Sequence, residues 1–158
     1  MESIDKDIIN RMQNPNERAF FVNDFIDLGN HTEITDALKE LVDKQQVISI
    51  NDDIYALARP SSINGNPVIK CEGGFKFAVL RALQRLNQPW RFCIVTEDYL
   101  LKKYNQIPAN LVLRVQPNFN QNFYYKGRPV QLIRDYVPLP SDSPLNKYYT
   151  NLNNHLKP

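Results

Sequence analysis

Residues 28–57, LGNHTEITDALKELVDKQQVISINDDIYAL, constrain the fold of this chain more than any other stretch, because a helical pattern runs directly into a hairpin pattern. Five apolar residues recur at helical spacing and predict one buried stripe on a helix over about residues 32–45. They are Ile34, Ala37, Leu38, Leu41 and Val42. The β-rich runs 47–50 and 54–57 follow, and Asn-Asp-Asp separates them, which predicts a two-stranded hairpin.

Two shorter helices are predicted before this stretch. Residues 3–12 fit a helix with Ser3 as its N-cap and isoleucines on one face. Asn23 or Asp24 would cap a second short helix that stops at Gly29. Three helices and a hairpin in residues 1–58 predict a winged helix-turn-helix domain.

Residues 59–67, RPSSINGNP, are rich in Pro, Ser, Gly and Asn, and this composition predicts a linker. A second domain, basic and small, is predicted over residues 68–158. Its expected elements are a helix at 74–87, a strand at 92–95, a helix at 96–104, strands at 111–115, 122–126 and 129–136 with a turn at Gly127-Arg128, and a helix from Ser143-Pro144 to about 156. The predicted fold class is therefore α+β, a winged helix followed by a mixed α/β domain.

The net charge of +2 conceals a strong asymmetry between the two halves. Residues 1–58 contain 5 Lys and Arg against 12 Asp and Glu, a net charge of −7. Residues 59–158 contain 14 against 5, a net charge of +9. A division of this kind indicates that the halves meet different partners, or each other.

Several functional classes find no support in the sequence. No apolar run reaches the roughly 18 residues of a membrane span, and the acidic start lacks the features of a signal peptide, so a cytoplasmic location is expected. Cys71 and Cys93 form no CxxC pair, and His31 and His155 lie far apart, so no metal site is expected. No nucleophile elbow, zinc-protease, P-loop or dinucleotide motif is present. We therefore expect a protein that is not an enzyme and needs no cofactor.

The order of motifs resembles the AbiEi-like antitoxins. The matching residues are Phe20, Asp24-Phe25, Leu28-Gly29, the block Ala37 to Val42 (ALKELV) and Tyr55. The later segments TEDYLLKKYNQIPANLVLRVQ and YYKGRPVQLIRDY are similar to that family's small helix, strand, basic hairpin and final strand. The resemblance covers about residues 4–137.

This resemblance implies a bacterial regulator of a type IV toxin-antitoxin operon that is not itself an enzyme. The winged helix would bind inverted repeats of double-stranded operator DNA and repress its own promoter. The second domain would counteract a nucleotidyltransferase-like toxin. The family commonly has basic residues around the recognition helix, whereas this chain has Asn23, His31, Asp36, Glu40 and Asp52 at the corresponding places.

Candidate DNA-contacting residues lie at the start and on the outward side of the helix at 32–45. They are Asn30, His31, Thr32, Thr35 and Lys39. Asn, Thr and Lys side chains reach base edges or phosphates in protein–DNA complexes. The same pattern also fits a solvated helix face with Asn30 or Thr32 as its N-cap. An acidic recognition face repels the phosphate backbone, which weakens the DNA interpretation.

A second candidate surface consists of basic residues in the second half. Those singled out are Arg81, Arg85, Lys102, Lys103, Lys126 and Arg128. With aromatic residues between them, they could bind nucleic acid or a protein partner. They also fit ordinary surface charge, or a surface that contacts the acidic first half. The alternative to a DNA-binding repressor is accordingly a protein interaction module whose acidic winged-helix face, Glu33, Asp36, Glu40 and Asp43, docks a basic partner.

Overall fold

The computed structural model describes residues 3–158, and within that range the chain contains five α-helices and nine short strands. The helices are α1 (Ile4–Met12), α2 (His31–Asp43), α3 (Gly74–Arg85), α4 (Ile94–Leu100) and α5 (Leu145–Leu156). The strands are β1 (Phe20–Phe21), β2 (Val47–Asn51), β3 (Ile54–Pro60), β4 (Pro67–Ile69), β5 (Trp90–Phe92), β6 (Val112–Val115), β7 (Tyr124–Tyr125), β8 (Arg128–Pro129) and β9 (Gln131–Ile133). This mixture confirms the predicted α+β class.

The chain divides into two compact units, and the division follows Ala82, within α3. Unit 1 runs up to Ala82 and takes in Pro158, and unit 2 is Leu83–Lys157. The boundary differs from the linker expected at 59–67. Strands β3 and β4 pair antiparallel across that segment, with Pro60 opposite Pro67. Turn-forming residues are as typical of a connection between paired strands as of a linker, and composition does not separate the two.

Helices α1 and α2 begin where their capping residues predict, but the second predicted helix does not: its N-cap is Phe21 rather than Asn23 or Asp24, and it ends at Phe25, before Gly29. The Ser3 side chain accepts a hydrogen bond from the Lys6 amide at 3.3 Å and starts α1. The second predicted helix is a single 3₁₀ turn over Val22–Phe25, and the Asp24 carboxylate accepts from the Phe21 amide at 2.9 Å. Asn30 caps α2, so both the helix and its start agree with the sequence pattern.

One apolar core holds unit 1 together. Helix α2 contributes the predicted stripe, and α1, β1, the 3₁₀ turn, β2 and β3 contribute the rest. The core residues are Ile8, Met12, Phe20, Val22, Phe25, Ile34, Ala37, Leu38, Leu41, Val47 and Tyr55. The strand order is β1-β3-β2, with β4 also paired to β3, and β2 and β3 form the predicted hairpin.

Unit 2 contains a three-stranded sheet of order β5-β6-β9. Strand β5 pairs antiparallel with β6, while β9 pairs parallel with β6 on its other side. A separate hairpin joins β7 to β8 with Tyr125 opposite Arg128. Its turn residues are Lys126 and Gly127, both with positive φ (52° and 80°), as a type I′ turn requires. The turn therefore lies one residue earlier than predicted.

Two local predictions in unit 2 are wrong. The strand expected at 92–95 is β5, which ends at Phe92. The helix expected from Thr96 begins at Ile94 with Cys93 as its N-cap. Ile94 and Val95 are β-branched, which favours strands in local propensity, but here they occupy the first turn of α4.

Helix α5 follows its sequence pattern closely. The Ser143 hydroxyl accepts a hydrogen bond from the Leu145 amide at 3.2 Å, and Pro144 immediately precedes the helix. Leu145, Tyr149 and Leu156 of the predicted apolar face are buried. Across residues 3–158, no helix combines the length and apolar character needed to cross a membrane.

Candidate functional site

Helix α2 presents one face to solvent and the other to the core of unit 1. Of the predicted DNA-contacting residues, Asn30, His31, Thr32 and Lys39 are exposed and Thr35 is half-buried. The first turn of α2, at the positive end of the helix dipole, is thus accessible.

Asn30 has a structural role in this surface. Its side-chain oxygen accepts a hydrogen bond from the Glu33 amide at 2.8 Å, and the Glu33 carboxylate accepts from the Asn30 amide at 3.2 Å. This reciprocal pair is a capping box, which satisfies amides that would otherwise lack a partner. Asn30 therefore holds the start of α2.

We expect the substitution Asn30→Ala to lower the free energy of unfolding by about 0.5–2 kcal/mol, because it removes the N-cap acceptor. Urea unfolding at neutral pH measures the change. Thr32→Ala, in the same exposed turn, is the matched control and should stay within about 0.5 kcal/mol of the wild type. Equal effects from both substitutions would contradict the capping role of Asn30.

Thr35 is also committed to the helix itself. Its hydroxyl donates towards the carbonyls of His31 and Thr32, at 2.9 and 3.0 Å. Such back-bonding is a local arrangement within a helix. Of the five predicted contacts, His31, Thr32 and Lys39 are therefore the ones whose side chains project from α2 into solvent without a capping or back-bonding role.

The same face of α2 is acidic. Glu33, Asp36, Glu40 and Asp43 are all exposed, and so are Asp52 and Asp53 in the turn between β2 and β3. Lys44 is paired with Glu40 at 3.0 Å and with Asp5 at 3.8 Å. The hydrogen bond and charge of Lys44 hold the pKa of Glu40 below its ordinary value, which favours the ionised form of this carboxylate.

The basic residues predicted in the second half belong to both units and differ in burial. Arg81 belongs to unit 1 and makes a two-point ion pair with Glu17, at 2.9 and 3.1 Å, with 13% of its side chain exposed. Arg85 is half-buried. These two residues of α3 are therefore largely committed to structure, and their spacing alone did not reveal this.

The other four predicted basic residues are exposed in unit 2, in two separate turns. Lys102 and Lys103 follow Leu101, the C-cap of α4. Lys126 lies in the β7–β8 turn with its ammonium 5.2 Å from the centre of the Tyr125 ring, and Arg128 follows in β8. These turns carry much of the net charge of +6 that unit 2 has from 10 basic and 4 acidic residues.

A buried ionic cluster in unit 2, centred on Glu97 of α4, joins this helix to strands β5 and β6 and to helix α5. Arg91 donates to both carboxylate oxygens at 2.9 and 2.6 Å, and the Tyr149 hydroxyl donates to one of them at 2.6 Å. Arg114 donates to the same carboxylate and, through Nε, to the Phe92 carbonyl at 2.9 Å. Two arginines share one carboxylate, so the cluster of ionised side chains has a net charge of +1.

The pKa values in this cluster agree with an ionised Glu97 and a neutral Tyr149. Burial is the largest influence on Glu97 and acts to raise its pKa, but hydrogen bonds from Arg91 and Tyr149 and the charges of both arginines lower it overall. Burial, followed by the hydrogen bond to Glu97, raises the pKa of Tyr149 far above its ordinary value. The tyrosine is therefore a hydrogen-bond donor at any ordinary pH.

Sequence reasoning did not identify this cluster. Arg91 and Arg114 each lie within a short apolar strand, WRF and VLRV. A charged residue in such a strand signals a buried partner, because an unpaired buried charge is very unfavourable. The pattern indicates that a buried partner exists but does not identify it. Members of the cluster lie far apart in the sequence: Tyr149 is 52 residues from Glu97.

An open cleft of about 710 Å³ lies beside this cluster, lined entirely by residues of unit 2. Its lining residues are Gln84, Asn87, Gln88, Pro89, Trp90, Arg91, Tyr136, Pro138, Leu139, Asn146, Tyr149, Asn153 and Lys157. Five are carboxamides, two are basic, and none is acidic. The cleft is therefore polar, aromatic and positively charged.

Within residues 3–158, no group of three or more His, Cys, Asp or Glu side chains is arranged to hold a metal ion. Cys71 and Cys93 are free thiols, and burial raises the pKa of Cys71, which disfavours its thiolate. Comparison with protein-family models, with curated proteins and with solved structures finds no match to this chain.

Proposed function

We propose that this chain is a non-enzymatic transcriptional regulator of the AbiEi-like antitoxin type, in which unit 1 is a winged helix that binds operator DNA through α2. The observation that carries the proposal is the exposed face of α2, which begins at an accessible, capped helix start and lies opposite the face that packs on the unit 1 core. The order of elements, with a helix and a 3₁₀ turn before α2 and a hairpin after it, also supports a winged helix.

The groups on α2 suit base edges better than phosphates. His31, Thr32 and Lys39 offer hydrogen-bond donors and acceptors at the base-reading positions of a recognition helix. The acidic residues around them repel phosphates, and Lys39 alone offsets little of that charge. Phosphate contacts would therefore have to come from elsewhere, and unit 2 has a net charge of +6 to contribute.

Unit 2 also has the features of a protein-binding domain, which suits an antitoxic role. Helix α4 exposes Ile94, Val95 and Tyr99, with 61%, 41% and 41% of each residue accessible. Lys102 and Lys103 follow Leu101, the C-cap of this helix. Adjacent exposed apolar side chains with a charged margin are characteristic of surfaces that contact other proteins. We propose this surface as the docking face for a toxin.

We expect the full chain to bind duplex DNA from upstream of its own gene more tightly than a random duplex of equal length. Fluorescence anisotropy across a range of salt concentrations measures both affinity and the number of phosphate contacts, because the logarithm of the binding constant falls linearly with the logarithm of salt. Equal affinity for both duplexes, or no binding at low salt, would contradict the repressor proposal.

The acidic face favours one second candidate, a module whose α2 docks a basic protein. The double substitution Asp36→Lys/Glu40→Lys separates the two functions. If α2 lies against DNA, the variant binds any duplex more tightly at low salt. The slope of the logarithm of the binding constant against the logarithm of salt concentration then becomes steeper by about one or two phosphate contacts. The matched control is Asp135→Lys/Asp142→Lys, which makes the same charge change at exposed positions in unit 2. Duplex binding by the Asp36→Lys/Glu40→Lys variant that is no tighter than that of the wild type would favour the protein-docking candidate, whatever the effect of the unit 2 variant.

A further inference from the structure

Helix α5 lines the cleft of unit 2 with a regular row of side chains. Asn146, Tyr149, Asn153 and Lys157 recur three or four residues apart, so they form one stripe along α5 and its C-terminal end. The stripe begins with a carboxamide and ends with an exposed ammonium group. Helix α5 thus offers hydrogen-bonding groups along the cleft and a positive charge at one end of it.

The carboxamides of this stripe have defined orientations. Asn146 donates from Nδ2 to the Pro140 carbonyl at 2.8 Å, and Asn153 donates from Nδ2 to the Tyr149 carbonyl at 3.0 Å. A backbone carbonyl accepts and cannot donate, so the amide nitrogens must face these partners. Each side chain retains its Oδ1 acceptor and a second amide hydrogen for a ligand.

The electrostatics of the walls select the charge of the ligand. No acidic residue lines the cleft, Lys157 is exposed at its edge, and Arg91 on the wall belongs to the ionic cluster with a net charge of +1. Such a site disfavours cations and attracts anions. The carboxamides with their paired donors and acceptors suit a neutral polar heterocycle in addition.

A nucleotide combines these two properties, an anionic phosphate and a base with neighbouring donors and acceptors. We propose that the cleft of unit 2 binds a nucleotide, either free or as one residue of a single strand, with the phosphate near Lys157 and the base along the carboxamides of α5. The volume of about 710 Å³ lies within the range of small-molecule sites. The half-buried ring of Tyr136 on the wall adds an aromatic surface for the base.

The chain has an internal reporter for this site, because its one tryptophan, Trp90, lines the cleft. The full chain is titrated with AMP, GMP, CMP and UMP by calorimetry, and Trp90 emission is followed in parallel. We expect at least one nucleotide to bind and change the emission, and inorganic phosphate to bind much more weakly. A ten-residue oligouridylate that binds more tightly than UMP identifies a strand as the source, and the reverse order identifies a free nucleotide.

Three variants test the assignment. Lys157→Glu should weaken nucleotide binding by about tenfold or more, a difference of one decade in Kd. Lys147→Glu makes the same charge change at an exposed position of α5 outside the cleft and should have little effect. Asn153→Leu should weaken nucleotides while leaving the weak binding of inorganic phosphate unchanged. Equal losses in both lysine variants, or no binding of any nucleotide or of the oligouridylate at millimolar concentration, would overturn the proposal.

The outcome is independent of the proposed repressor function. Duplex binding through α2 is measured with the Asp36→Lys/Glu40→Lys variant, which leaves every residue of the cleft unchanged. Loss of the duplex preference with retained nucleotide binding would leave the cleft assignment standing. Retained duplex preference with no nucleotide binding would remove the cleft assignment alone.

Discussion

The substitution Glu97→Ala should lower the free energy of unfolding by about 3–5 kcal/mol, the cost of leaving a buried charge without its partner. Glu97 is 5% exposed and accepts from Arg91, Arg114 and Tyr149, so its removal leaves two arginines and a hydroxyl with no common acceptor. Urea unfolding at neutral pH gives the value. The control is Asp98→Ala, which removes the neighbouring, less buried carboxylate and should cost far less.

The pH dependence of this effect has a definite sign. Because the pKa of Glu97 is lowered in the folded chain, its stabilisation is fully present above the ordinary glutamate value of 4.5 and is lost as pH falls through the lowered pKa. The wild type should therefore lose this contribution in acid, and Glu97→Ala has none to lose. The difference in unfolding free energy between the two proteins should narrow between pH 5 and pH 3. A difference that stays constant over that interval would contradict an ionised Glu97 at the centre of the cluster.

The substitution Phe25→Ala should have a comparable effect on unit 1, about 3–5 kcal/mol, which is the usual loss when a buried phenylalanine is truncated to alanine. Phe25 is fully buried, its ring centre lies 6.3 Å from that of Phe20, and the Arg11 guanidinium lies 5.9 Å from it. The substitution removes apolar contact and leaves a cavity beside the core that α2 packs on. Thermal and urea unfolding measure the loss.

The next residue along the chain supplies a matched control for Phe25. Ile26 is 65% exposed, so Ile26→Ala removes an apolar side chain of similar bulk with little burial to lose. We expect it to stay within about 0.5 kcal/mol of the wild type. If Phe25→Ala and Ile26→Ala cost the same, the core described for unit 1 is incorrect.

Local patterns predicted the elements of unit 1 well, because their causes are local. The stripe of α2, the capping residues Ser3 and Asn30, and the turn between β2 and β3 each act within a few residues of the chain. Burial of one helix face and satisfaction of end amides depend on spacing and residue type, both of which the sequence states directly.

Predictions failed where two states of similar local propensity compete. Residues 59–67 have the composition of a linker and also of a strand connection, and the pairing of β3 with β4 decides between them. Ile94 and Val95 favour a strand by propensity, yet the chain turns into α4 after Phe92, and this helix buries Thr96 and Glu97. Propensity is a weak prior, and tertiary context overrides it.

The candidate sites divide in the same way. The positions of His31, Thr32 and Lys39 on the exposed side of α2 follow from helical spacing, and so does the stripe of Asn146, Asn153 and Lys157 on α5. The roles of Arg81 and Arg91 do not follow from helical spacing. Each arginine is paired with a carboxylate that folding brings near it. A cation that appears available in the sequence is in both cases already paired.

The amino-acid sequence by itself determined the elements whose free energy comes from neighbouring residues: the caps, the amphipathic stripes of α2 and α5, and the hairpin of β2 and β3. Tertiary structure alone decided the division within α3, the parallel pairing of β6 with β9, and the joining of Arg91, Glu97, Arg114 and Tyr149. These depend on contacts between distant residues. The stability of such contacts depends on burial and on the distance between charges, and both exist only once the chain has folded.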